Sequence, residues 1–175
     1  MRSGLFTVGW ILFAISVGAQ APFLTFEPPS EWIKRETTSQ EQLARYYLPR
    51  MNSDREDADL VVLYFGNEGV SSESHLEQWT NEMLQSDERP SADVATTTSF
   101  QVSDMPVTLL DVPGIYAATV HPGSKMRYYK PGYRLHAAVV ESEDGPVFFK
   151  LIGPDHTVTH WEPWFTELLE STRFP

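Results

Sequence analysis

The sequence predicts a single α+β domain, a mostly antiparallel β-sheet flanked by helices. Three observations carry this. Apolar stretches of strand length recur along the chain, among them residues 60–65 and 147–152. Two other segments, 72–85 and 158 to the C-terminus, place their apolar residues at helical spacing instead. The late strands are joined by links of hairpin length, which suit antiparallel neighbours and leave no room for the crossover helices of a parallel sheet.

The first element is an address rather than a part of the domain. Residues 1–19 open with Arg2, continue through an apolar run over 5–17 and end in small residues, the three-part layout of a secretory signal. That run is shorter than the roughly 20 residues a membrane-spanning helix needs. Cleavage after Ala19 is expected to leave Gln20 first, because the competing site after Ala21 puts Pro22 beside the scissile bond. The expected product is residues 20–175, exported to the periplasm or beyond in a bacterial host, with no stable membrane insertion.

Phe23 to Phe26, stopped by Pro28-Pro29, and the stretch 32–37 read as an edge strand and a bend. A strand over 43–48 ends at Pro49, the charged stretch 52–59 makes a turn, and 60–65 reads as a buried central strand. Leu76, Trp79, Thr80 and Met83 then fall on one helical face, with Ser74 and Glu77 spaced as a capping box, which predicts a helix over 72–85. A polar loop over 86–92 leads to strands at 95–102, at 107–119 with a break at Pro113-Gly114, and at 135–142 and 147–152, the last two forming a hairpin around Glu143-Asp144-Gly145. Val158, Trp161, Phe165, Leu168 and Leu169 form the face of a closing helix in which Pro163 sits in the first turn or makes a kink.

Composition bounds the function. The chain has 175 residues, 41% hydrophobic and 21% charged, with 22 aromatic residues to fill a core. Its net charge is -11, which argues against a general nucleic-acid binder, since phosphate contacts need a basic face. The absence of cysteine excludes disulfides, thiolate metal sites and a Cys nucleophile. No nucleophile elbow, phosphate loop or dinucleotide fingerprint is present, so no cofactor is expected.

The ending of the chain carries a resemblance. Pro131-Gly132-Tyr133-Arg134, the Ala-Ala-Val-Val strand, 144–154 (Asp-Gly-Pro-Val-Phe-Phe-Lys-Leu-Ile-Gly-Pro) and a Trp-rich helix, taken with Trp32 and the 60–66 strand, resemble exported bacterial proteins of unassigned function. More distantly they resemble the Mog1/PsbP fold. That resemblance implies an antiparallel sheet between helices and a binding or assembly role, as in an oxygen-evolving photosystem subunit or a small-GTPase partner. It implies no functional residue here.

One segment stands out from the acidic background. Lys125, Arg127, Tyr128, Tyr129, Lys130, Tyr133 and Arg134 bring four cations and three tyrosines together without an acid. Guanidinium forks and tyrosine rings suit carboxylates, phosphates and partner surfaces, and Pro131-Gly132 is expected to present them on a hairpin or long loop. The functional expectation is a non-enzymatic domain that contacts a protein partner or a small anionic ligand here. The rival is a metal-dependent or carboxylate-based hydrolase. For a metal, His156 and His160 have helical i, i+4 spacing but lack the Glu of a zinc-protease motif, and His75, His121 and His136 are isolated in sequence. The acidic loop 54–59 lacks the glycine and spacing of a calcium loop.

Overall fold

The computed structural model describes residues 24–51, 53–66 and 71–174; the expected signal segment lies outside them. The elements in chain order are β1 (Ile33–Arg35), β2 (Gln42–Leu48), β3 (Ala58–Tyr64), α1 (Ser72–Thr80), β4 (Met83–Leu84), β5 (Thr96–Val102), β6 (Met105–Tyr116), β7 (Lys130–Ser142), β8 (Gly145–Pro154) and α2 (Asp155–Glu170). The strands form one antiparallel sheet in the order β1-β2-β3-β8-β7-β6, with β5 and β4 side by side along the outer edge of β6. The expected α+β architecture is present, with one helix on each face.

Alternation along the central strands divides the core in two. On one face Leu60, Val62, Ala138, Val140, Val147, Phe149 and Leu151 pack under Val158, Trp161, Phe165, Leu168 and Leu169 of α2. On the other, Leu110, Val112, Leu135, Ala137, Val139 and Phe148 pack under Trp79 of α1. α2 has 16 residues and α1 only nine. The apolar run 60–65 is therefore not fully buried: Leu60 and Val62 are, but Val61 and Leu63 on the α1 side are half-covered. The short helix leaves part of that sheet face open.

Several local expectations need correction. α1 ends at Thr80, not near 85, because Met83 and Leu84 pair as a strand with Tyr116 and Ile115 of β6, and Met83 is buried there. The N-cap is Ser71, whose Oγ accepts from the Ser74 N–H at 3.1 Å, not Ser74 itself. Pro113 does not break β6. It lies opposite the gap between β5 and β4 on the outer edge, where a missing N–H costs no ladder bond, and its carbonyl accepts from Gln85 Nε2 at 2.8 Å. Pro163 is inside α2, beyond its first turn.

At Gly153 two strands approach closely: a Cβ there would lie 2.5 Å from Ala58 Cβ and 2.7 Å from Ala58 Cα. Both residues are buried, so Gly153→Ala must push β8 and β3 apart. The expected cost is about 1–3 kcal/mol in a urea melt, and an unchanged midpoint would show that the strands separate freely.

Candidate functional site

The uncovered part of the α1 face holds a hollow of about 350 Å³. β2 and β3 supply Arg45, Tyr47 and Asp59 to it, the positions that alternate with the buried Ala44, Tyr46, Ala58 and Leu60. The turn between those strands supplies Glu56, and β6, β7 and the segment between them supply Tyr116, Tyr128, Lys130 and Tyr133. Tyr116 stacks on Tyr128 at 5.6 Å and on Tyr133 at 6.2 Å, with rings 16° and 9° from parallel. Lys130 Nζ lies 5.4 Å from the Tyr128 and Tyr133 ring centres, within cation–π range.

Both cations of the hollow are paired with acids. Arg45 donates to both oxygens of Asp59, at 3.0 and 2.7 Å, and sits 5.3 Å over the Tyr47 ring. Lys130 donates to Glu56, which also accepts from the Tyr133 hydroxyl at 3.0 Å. The hydrogen bond from Lys130 holds the Glu56 carboxyl below its ordinary pKa. Burial works against the Lys130 ammonium, but Glu56 outweighs it and raises the lysine pKa. Behind the stack, Lys150 pairs with Glu82 and lies 5.0 Å from the Trp79 ring, and burial lowers its pKa. Burial, then the charge of Glu82, pushes the Tyr116 phenol well above its ordinary range.

The seven residues expected to act together are separated by the strand. β7 starts at Lys130, so Pro131-Gly132 is inside a strand and not at a hairpin tip. Tyr128, Lys130 and Tyr133 reach the hollow. Lys125, Arg127 and Tyr129 are exposed beside it, Arg127 donating to the Ala117 carbonyl. Arg134 points to the opposite face, under α2. There its guanidinium donates to Asp111 and, at 2.8 Å, to Glu162, and His136 Nδ1 is 2.8 Å from the same Asp111 carboxylate.

Folding thus gathers one histidine. Asp111, His136 and Glu162 bring ligand atoms within 4.8 Å of one another, but the Arg134 guanidinium bonds both carboxylates and supplies the positive charge they need. His156 is exposed, while His160 stacks on Trp164 at 5.2 Å. The acids of 54–59 are engaged singly: Asp54 accepts from the Thr157 N–H at 2.9 Å and its hydroxyl at 2.6 Å, at the start of α2, and Asp57 accepts from the Arg50 N–H at 3.0 Å. Arg45, Tyr47, Glu56, Asp59 and Tyr116 escaped the sequence reading of the site. For Arg45, Tyr47 and Asp59 the signal was polar and aromatic residues alternating with apolar ones at the end of β2 and the start of β3.

The sequence matches no protein-family model and no curated protein. Among solved structures, the solution structure of cyanobacterial PsbP from Synechocystis sp. PCC 6803 superposes with a TM-score of 0.52 at 12% identity, covering 87% of each chain. The fold is PsbP-like. A protein of unknown function from Pseudomonas aeruginosa, described as a putative regulator, is similar at a TM-score of 0.47 and 13% identity, over 85% of this chain and 94% of that one. At these identities the PsbP-like likeness concerns the fold and says nothing of residues in the hollow. No helix among the described residues is long and apolar enough to cross a membrane.

Proposed function

We propose that this is an exported, non-enzymatic binding domain that docks a protein partner on the tyrosine hollow and the 125–133 segment beside it. One observation carries the reading. Met126 and Tyr129 are 66% and 72% exposed, the two highest values among the exposed large hydrophobics, and they lie within two residues of Tyr128, whose ring lines the hollow and is already ordered by stacking. Exposed apolar and aromatic side chains beside prearranged rings suit a protein interface, where such residues dominate affinity. A protein partner is favoured over a small anion because Arg45 and Lys130 already have carboxylate partners. Export rests on the sequence of residues 1–19.

The test is a photo-reactive residue at Met126, with one at Trp164 on α2 as the control. The expected result is a discrete adduct in bacterial cells from position 126 alone, lost when Tyr129→Ala is added. Because Tyr129 is exposed, that variant should keep its stability within about 0.5 kcal/mol. Adducts of equal yield from both positions, or an adduct indifferent to Tyr129→Ala, would refute the assignment.

A further inference from the structure

Among the described residues the sheet has two outer edges of opposite character. One is β1, three residues long and carrying Lys34 and Arg35. Short edges with cations resist the addition of another strand. The other is β5, a seven-residue strand of sequence TTTSFQV with no charge and no proline, in which Thr96 to Ser99 and Gln101 are exposed. Only its inner side is paired, to β6.

The register shows which backbone groups face outward. Ser103 and Asp104, at φ 50° and 68°, make the two-residue turn between β5 and β6, so Val102 and Met105 flank it as a hydrogen-bonded pair. By alternation, Thr96, Thr98 and Phe100 direct their N–H and C=O groups to β6, while Thr97, Ser99 and Gln101 direct theirs away from it.

We infer that β5 is a self-association edge, on which two copies of this chain pair their β5 strands antiparallel about a two-fold axis at Ser99. In that register Ser99 meets Ser99 of the second copy and Thr97 meets its Gln101, so every outward backbone group of the strand gains a partner, about six hydrogen bonds in all. Any shifted symmetric register leaves one of the three opposite a residue outside the strand. The side chains agree with this choice. Phe100, half-buried against the α2-side core, falls opposite Thr98 of the second copy, a favourable aromatic and β-branched pair. Asp93 and Asp104 fall opposite Met105 and Val94, so no acid directly faces an acid although each chain carries a net charge of -11. The contact uses none of the residues of the tyrosine hollow.

Because the chain has no cysteine, one introduced thiol reports the register directly. Ser99→Cys places two thiols across the axis at the roughly 5.5 Å Cα separation of a hydrogen-bonded antiparallel pair, within disulfide reach. Sedimentation velocity is expected to show a monomer–dimer equilibrium, and mild oxidation is expected to link Ser99→Cys chains while Lys34→Cys chains, at the protected edge, stay single. Ser99→Lys sets like charges face to face, and Ser99→Pro deletes an outward N–H without touching a bond to β6. Each should weaken the dimer at least about tenfold while circular dichroism stays that of the folded chain. A wild-type protein that is monomeric up to its solubility limit, a dimer that survives both substitutions, or equal disulfide yield at positions 34 and 99 would overturn the inference.

Discussion

Replacing Arg134 with Gln is expected to destabilise the protein by about 3–5 kcal/mol, the usual cost of removing one partner from a buried ionic network. Its side chain is 15% exposed and ties its own strand to two other elements. Nε donates to Asp111 on β6 at 3.0 and 2.9 Å, and Nη1 donates to Thr159 at 3.0 Å and Glu162 at 2.8 Å on α2. Without the guanidinium, the Asp111 and Glu162 carboxylates face each other across the helix–sheet interface with His136 as their remaining neighbour. Urea unfolding measures the loss, and a change below about 1 kcal/mol would mean that solvent screens the network. The acid limb gives a second reading. Burial alone would raise the Asp111 pKa, but hydrogen bonds from His136 and Arg134 and their charges outweigh it and hold the pKa below the ordinary 3.8. A carboxyl with a depressed folded pKa contributes stability that is present above its unfolded value and lost as pH falls through its folded one. Wild type should therefore lose this contribution only below pH 3.8, whereas Arg134→Gln should begin acid unfolding at higher pH.

Arg134 also shows where sequence reading stops. The β7–β8 hairpin and the buried face of α2 are legible because turn chemistry and apolar period are local, and both are found in place. The end of α1 is not local: Met83 fits the helical period, but its pairing with Tyr116 on a distant strand wins. The run of cations and tyrosines over 125–134 reads as one patch because nothing in it marks Lys130 as the first residue of a strand. Once it is, alternation sends Tyr133 to one face and Arg134 to the other. The hollow was harder still, since its Arg45–Asp59 and Lys130–Glu56 pairs bring together residues far apart in the chain. His136, isolated in the sequence, lies inside the apolar stretch 135–140 and is buried in the fold. Asp111 and Arg134 could be assigned to it only with the β6–β7 register in hand.

Trp161→Ala should cost about as much as the loss of Arg134, by a different route. The indole is 6% exposed and meets Trp32 edge-on at 6.2 Å and 86°, so it ties α2 to the segment that leads into β1. Its N–H donates to the Pro49 carbonyl at 2.8 Å, at the end of β2. Truncation opens a cavity between elements that cannot collapse independently, which costs about 3–5 kcal/mol. It also leaves the Pro49 carbonyl without its indole donor. Trp161→Phe keeps an aromatic ring but loses the donor and part of the indole's volume, so the expected loss is smaller, about 1–3 kcal/mol. Trp164, 36% exposed on the same helix, serves as the control, and Trp164→Ala should stay within about 1 kcal/mol. If Trp161→Ala proved as mild as the control, α2 would not be closing the core through this residue. If Trp161→Phe proved as costly as Trp161→Ala, the fused indole and its hydrogen bond to Pro49, neither of which phenylalanine supplies, would be what holds α2 to β2.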